Sequence, residues 1–475
     1  MSLDGAAPVP PTPCRDRSEE SHVPGSGGRT ADRLALFGGR PVVTRSSHGL
    51  WPVVGDDERR AVGRVLDRGI FSGPFAPESR ALEEEFASFV GAKHCLLTHC
   101  GTSALLIALA AAGVRAGDEV IVPAYSFVAT PLAVIHAGAV PVFADVDVPT
   151  GCLDPAAAEA AITPRTRAIM PVHMHGCPAD LGSLIELTRR HGLALVEDAA
   201  QAHGATFGGR KVGAFGAGGG FSLQSSKNLS AGEGGLFVTS DDGVAAEAAS
   251  VRNFGQDISA HDEADYDSAR PLDGTRALDS RRIGSMYRGN EMMAAFARAQ
   301  LAKLPERTAQ CRRHADRLAH SLAGLPGVTP PLAPAGRASV HHKFRVHLDA
   351  QRAGLPLTPR QLRDAVVLAL RAEGLEVVLW QSAPLPAQGV FQHRDLLSAF
   401  PRAGSGGTDL AINYDPARYP RTAALLDSSV VLFSQSCPLI AQTQEIVDRY
   451  AEAFCRVWDQ RQALAEWALR SERTS

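Results

Sequence analysis

Apolar and polar positions change period several times along the chain, and these changes divide it. Positions 1–45 are rich in Pro, Gly, Ser and Arg and hold little that could be buried, a composition that predicts a disordered tail. From Trp51 the pattern becomes amphipathic, predicting helices over 56–67 and 78–90 on either side of the turn-rich run Gly69-Ile-Phe-Ser-Gly-Pro74. Short apolar runs then alternate with helical stretches as far as about position 255. The runs predict strands over 94–97, 119–122, 140–145, 167–173, 193–196, 219–223 and 235–239. Helices are predicted over 101–112, 127–137, 155–162 and 180–191, with Asp154-Pro155 reading as an N-cap followed by proline at the first helical position. Strands interleaved with helices of this length imply an α/β fold with a mostly parallel sheet covered on both faces. Ligands of such sheets bind beyond the carboxyl ends of the strands.

Positions 257–282 are polar and read as a long loop, followed by helices over 291–304 and 306–325. After a Pro/Ala-rich linker at 329–336 the chain begins again, with strands over 342–348, 376–379 and 430–433 and helices over 359–373 and 443–469. This second part reads as a smaller α+β domain. The expected organisation is therefore a tail at 1–45, a large domain with an N-terminal arm at 46–305, and a small domain at 306–475.

Composition narrows the function classes. The 475 residues are 45% hydrophobic and 21% charged, with a formal net charge of −3, which leaves no electrostatic footprint for nucleic acid or an anionic membrane. No apolar run reaches the ~18 residues of a membrane span, and no signal peptide is recognisable at the N-terminus. Eight cysteines are scattered without a Cys-x-x-Cys spacing, as expected for reduced thiols in a cytoplasmic protein and not for a disulfide frame or zinc site.

Candidate chemistry centres on Lys227, which an apolar strand delivers into the hydroxyl-rich, glycine-bounded run Phe221-Ser-Leu-Gln-Ser-Ser-Lys-Asn-Leu-Ser-Ala-Gly-Glu-Gly-Gly235. A lysine taken alone is usually a solvated surface charge. A partly desolvated one is a neutral nucleophile able to form a Schiff base with a carbonyl. Asp198 lies in the run Glu197-Asp-Ala-Ala-Gln-Ala-His-Gly204 that follows the strand 193–196, at its carboxyl end, either as a helix cap or as a carboxylate suited to a protonated pyridine nitrogen. Gly101-Thr102-Ser103 opens an apolar helix directly after a strand, a ready site for a phosphate monoester, and Ser222 and Ser225 could add hydroxyls. Phe127 follows another strand end, where it is either a core aromatic or a face for stacking on a heteroaromatic ring. His173 and His175 lack accompanying carboxylates or thiolates at ligand spacing, so no metal is expected. Gly216-Ala-Gly-Gly-Gly220 precedes a strand instead of joining strand to helix, which disfavours a nicotinamide dehydrogenase. Lysine, aspartate, phosphate cradle and aromatic together describe a pyridoxal 5'-phosphate site.

On these residues, and on Asp118-Glu-Val-Ile-Val-Pro-Ala-Tyr-Ser-Phe127, the chain resembles the DegT/DnrJ/EryC1/StrS family of pyridoxal-phosphate-dependent sugar and cyclitol aminotransferases, from about Trp51 to Val457. The resemblance implies the aspartate aminotransferase fold (fold type I) and a homodimer with active sites at the interface. By position, Lys227 matches the cofactor-bearing lysine and Asp198 the partner of the pyridine nitrogen. Gln201 matches the residue at the phenolic oxygen, Thr102, Ser103 and Ser222 match phosphate contacts, and Phe127 matches the stacking aromatic. The family usually carries Asn where Met286 stands, so that residue's cross-subunit phosphate contact is not carried over. Arg288 keeps its place and could hold a carboxylate. Around Trp380 the His-Tyr-Pro pattern of many nucleotide-sugar enzymes is missing, which tilts the expectation to a free cyclitol or related ring ketone aminated from glutamate or glutamine, in natural-product biosynthesis. Two alternatives stand beside it: an aminating dehydratase like 3-amino-5-hydroxybenzoate synthase, suggested by Gly284-Ser-x-x-Arg-x-Asn-Glu291, and a cofactor-binding regulator without catalysis.

Overall fold

A computed structural model of the chain describes residues 33–73, 76–257, 280–331, 334–393 and 413–472. Seven strands form the main sheet: β1 (His94–Thr98), β2 (Glu119–Pro123), β3 (Val140–Ala144), β4 (Thr166–Ile169), β5 (Ala194–Asp198), β6 (Gly218–Ser222) and β7 (Gly235–Thr239). Their order is β1-β7-β6-β5-β4-β2-β3. Every pairing is parallel except the two that β7 makes, with β1 and with β6. Both faces are covered: within β2, Ile121 packs into one apolar cluster while its neighbours Val120 and Val122 pack into the other. Such double burial is why these strands read as continuous apolar runs. The helix Gly101–Ala111 lies close on β6 because Gly220 has no side chain; a Cβ there would sit 2.7 Å from Leu105 Cδ2.

The small domain carries an antiparallel sheet of β8 (Val328–Thr329), β9 (Phe344–Leu348), β10 (Val377–Val378) and β11 (Ser429–Leu432), ordered β8-β9-β11-β10.

The structure departs from the sequence expectations in four places. The helices predicted at 291–304 and 306–325 are one continuous helix, Glu291–Leu322, with Pro305 inside it. Proline removes one backbone hydrogen bond at a cost of ~3 kcal/mol. Burial of Leu301, Leu304, Thr308 and Cys311 on both sides of it outweighs that cost. The boundary drawn at 305/306 therefore falls within a helix that serves both halves. The expected tail is structured at its end: positions 1–32 lie outside the described residues, but Leu34 and Val43 are buried in the small-domain core, and Val43 N–H donates to Glu373 O at 2.9 Å. The Pro- and Gly-rich average over 1–45 hides these apolar anchors. The strand expected over 167–173 stops at Ile169, and His175 sits in a short 3-10 turn at φ 56°, so His173 and His175 do not share a strand face. The final helix is broken into Gln444–Asp459 and Arg461–Glu472. Most of the expected loop at 257–282 lies outside the described residues. Among the described residues, no helix is long and apolar enough to cross a membrane.

Candidate active site

The carboxyl ends of β5 and β6 and the amino end of the helix Gly101–Ala111 converge. Asp198, the last residue of β5, is 4% exposed. Its Oδ2 accepts from Thr130 Oγ1 at 2.7 Å and its Oδ1 from the Ala200 N–H at 3.1 Å. Burial raises its pKa, against the two hydrogen bonds. No direct ion pair engages it among the described residues, so the carboxylate is oriented and enclosed, with the Lys227 ammonium acting on it only through its charge. Behind it, Glu197 and His173 are fully buried and 2.9 Å apart. His173 Nδ1 accepts from the Ala179 N–H, so Nε2 carries the proton and donates to Glu197, leaving no ring lone pair for a metal. Glu197 also accepts from Gly213 N–H at 2.8 Å and Phe215 N–H at 2.6 Å. The His173 N–H donates to Asp198 O at 3.1 Å, so this network holds the strand end in place.

Lys227 lies in the loop between β6 and β7. Gln224 organises it, its Oε1 accepting from the Ser226 N–H and hydroxyl and its carbonyl from the Lys227 N–H at 2.9 Å. The Trp51 indole N–H donates to Lys227 O at 2.9 Å, so the N-terminal arm braces the loop. The residue keeps part of its surface open. Its ammonium is enclosed enough that burial lowers the pKa to about 8, and the charge of Asp198 opposes the fall.

The helix Gly101–Ala111 begins without a side-chain cap, so its first N–H groups and the positive end of its dipole are left for an anion. A Cβ on Gly101 would lie 2.7 Å from Ser222 Cβ; glycine is what brings this helix end against Ser222. Thr102 is half-buried at this end. Ser103 is more enclosed than the sequence suggests, its hydroxyl 3.2 Å from His99 Nε2 and 3.3 Å from Cys100 Sγ. Phe127 is 57% exposed, which removes the core-aromatic reading. Gln201 is fixed by the His175 N–H, which donates to its Oε1 at 3.0 Å. Trp380 reaches this wall from the small domain, its ring centroid 5.4 Å from that of His175. Arg288 is turned to Asn253, whose side-chain carbonyl it donates to. The sequence reading missed Thr130, although its i,i+4 spacing from Ser126 was a usable signal: the two hydroxyls are 2.8 Å apart.

These residues fit pyridoxal phosphate: an uncapped helix end for the phosphate, an enclosed carboxylate for the ring nitrogen, an exposed aromatic face and a lysine of lowered pKa. A model of the DegT/DnrJ/EryC1/StrS aminotransferase family matches residues 52–406. The chain belongs to this family. As a DegT/DnrJ/EryC1/StrS member it is a pyridoxal-phosphate-dependent aminotransferase. It is 41% identical over 324 residues to an L-glutamine:scyllo-inosose aminotransferase of Streptomyces griseus, covering 66% of this chain and 74% of that one. It is 37% identical over 443 residues to an L-glutamine:2-deoxy-scyllo-inosose aminotransferase of Streptomyces kanamyceticus, covering 92% and 99%. Among solved structures it is similar to a 3-amino-5-hydroxybenzoic acid synthase, with a TM-score of 0.72 and 31% identity over 88% of this chain and 100% of that one.

Proposed function

We propose that this aminotransferase moves the amino group of L-glutamine to the ring keto group of a scyllo-inosose-type cyclitol in natural-product biosynthesis. The observation that carries the reading is the likeness to the Streptomyces kanamyceticus 2-deoxy-scyllo-inosose aminotransferase, which spans nearly all of both chains. Pyridoxal phosphate, when bound, supplies a carbonyl that takes the donor's nitrogen and a ring that stores the electron pair of the broken Cα–H bond. The protein's part is positional and acid–base. Lys227 would hold the cofactor, and its amine, once displaced, would move a proton from the donor's Cα to the cofactor in the first half and from the cofactor to the acceptor carbon in the second; a pKa of about 8 suits both directions near neutral pH. Asp198, held by Thr130 and Ala200, would keep the pyridine nitrogen protonated. Gln201 would meet the phenolic oxygen, and Phe127 would stack on the ring. Ser222, Thr102, Ser103 and the helix end would hold the phosphate.

We also infer a cytoplasmic homodimer. Phe71, Phe254, Ile283, Met286 and Met292 are large apolar side chains left exposed, Ile283 at 99%. Hydrogen bonds from Glu291 N to Phe71 O and from Phe254 N to Ser285 O tie their segments together, and His99 N to Tyr287 O joins them to the phosphate end of the site. An apolar group of this kind beside the site suits a second copy of the chain. The seven described cysteines are free thiols, in keeping with a reducing compartment.

The test incubates purified enzyme, glutamine and cyclitol ketones, with the aminated ring read by mass spectrometry. The reading fails if glutamine converts the cofactor to its amine form and no cyclitol ketone then consumes it. Loss of water along with amination of a cyclic keto acid would favour the dehydratase-like alternative, which the similarity to the 3-amino-5-hydroxybenzoic acid synthase supports. Sedimentation of an Ile283→Asp variant as a monomer, against a wild-type dimer, tests the assembly.

A further inference from the structure

Lys343 is a second lysine in the wall around Lys227, more deeply buried than Lys227 itself, and the reaction gives it no task. It is 3% exposed and immediately precedes β9. The segment leading to it is fastened to the Lys227 loop: Asn228, the next residue after Lys227, donates through Nδ2 to Val340 O at 3.0 Å, and its Oδ1 lies 3.4 Å from His342 Nδ1. The Lys343 N–H itself donates to His175 O, and the His175 N–H holds Gln201. The Lys343 ammonium donates to Ser434 O at 3.2 Å and lies 5.9 Å from the Trp380 ring centroid.

An ammonium at this depth ordinarily has a carboxylate partner, because a buried charge without one is costly. Among the described residues no carboxylate pairs with it. Burial lowers its pKa to about 8, and the nearby Lys227 adds to the fall. Three buried polar atoms of neighbouring residues also lack hydrogen-bond partners: His342 Nε2, Trp380 Nε1 and Gln381 Oε1. His342 is 1% exposed, so its nitrogen has no bulk water to turn to. The Trp380 N–H is a donor without an acceptor and, with the Lys343 ammonium, calls for an anion; Gln381 Oε1 and His342 Nε2, whose Nδ1 faces the acceptor Asn228 Oδ1, are acceptors and call for donor groups on the same ligand. Arg345 is committed elsewhere, donating to Val148 O, Pro149 O and His347.

We propose that Lys343 receives the α-carboxylate of the amino donor, with the Trp380 N–H as a second donor to it and the acceptors His342 Nε2 and Gln381 Oε1 left for N–H and O–H groups of the ligand. The inference rests on the glutamine-dependent reading above. Glutamine carries a carboxylate beside its reacting carbon and a cyclitol ketone carries none, so an anion site in this wall serves the first half of the reaction. In the second half Lys343 has only hydroxyls to meet.

The test compares two unreactive ligands on the cofactor-loaded enzyme by calorimetry: glutaramate, which is glutamine without its amino group, and glutaramide, which replaces that carboxylate with an amide. Wild type is expected to bind glutaramate roughly 10- to 100-fold more tightly, the range for a hydrogen bond to a charged group. K343M is expected to bind both equally and K343R to keep part of the preference. K343M is also expected to raise KM for glutamine by a similar factor while kcat changes less. K343Q, which keeps a polar end, takes its place should K343M not fold. The proposal is overturned if wild type does not discriminate between the ligands, or if folded K343M or K343Q retains the wild-type preference. Should glutamine fail as a donor altogether, the functional reading falls while the two-ligand contrast still reports on Lys343.

Discussion

Lys227 is expected to lose its proton near pH 8, and competitive labelling of the cofactor-free protein measures this directly. Enclosure takes the ammonium from 10.5 down to about 8. At pH 7 an amine with that pKa is roughly 10% neutral, whereas one at 10.5 is about 0.03% neutral, so the site multiplies the reactive fraction about 300-fold. The sign follows from the neutral form being the nucleophile: reactivity climbs about tenfold per pH unit below the pKa and levels above it. Trace acetylation across a pH series, quantified by mass spectrometry of the Lys227 peptide against free Nα-acetyl-lysine, gives the midpoint. Because the Asp198 charge favours the protonated form, Asp198→Asn is expected to move the midpoint below 8 while turnover collapses for want of the ring-nitrogen partner. A wild-type midpoint that tracks the free lysine, or an upward shift in Asp198→Asn, would refute the reasoning.

Other substitutions separate fold from chemistry. Lys227→Ala should abolish turnover, and borohydride should then fix no cofactor to the protein; retained turnover would remove Lys227 from the mechanism. Phe127→Ala should leave unfolding stability within ~0.5 kcal/mol, since the ring is 57% exposed. It should weaken cofactor binding by the ~0.5–1.5 kcal/mol of a lost aromatic pair, read by equilibrium titration. Gly101→Ala forces a Cβ to 2.7 Å from Ser222 Cβ, and the helix shift should cost ~1–3 kcal/mol in urea unfolding and loosen the phosphate end. Glu197→Ala strips acceptors from His173, Gly213 and Phe215, and at ~1–3 kcal/mol for each buried donor left unmet the chain should lose at least ~3 kcal/mol. Unchanged unfolding curves for both would contradict the close packing described.

The mostly parallel sheet was legible because strands such as Glu119–Pro123 and Gly235–Thr239 are buried along their whole length, which leaves largely apolar runs bounded by turn residues. The long helix was not. Pro305 is a local signal to stop, and what overrides it is packing with both domains, which no window of sequence contains. The ordered end of the N-terminal segment was missed for the same reason, since Leu34 and Val43 acquire a partner only when residues near 373 and 456 are folded beneath them.

The cofactor end of the site and its substrate end differ in how they are encoded. Asp198 and Ser222 end the neighbouring strands β5 and β6, Lys227 lies in the β6–β7 loop and the uncapped helix at Gly101 follows β1 of the same sheet, so each sits in a local run that sequence preserves. Lys343, Trp380 and Ser434 come from the small domain, and meet His175 and Asn228 only through tertiary contacts. In sequence, Lys343 follows two histidines and precedes an apolar strand, the ordinary setting of a surface cation. Its burial and the absence of a paired carboxylate among the described residues are what make it informative, and both are properties of the fold. Arg288 shows the converse: its position in the chain suggested a carboxylate ligand, yet its guanidinium is turned to Asn253. Chemistry shared along one sheet survives as a motif, whereas substrate choice is assembled from distant segments and becomes readable only once they are folded together.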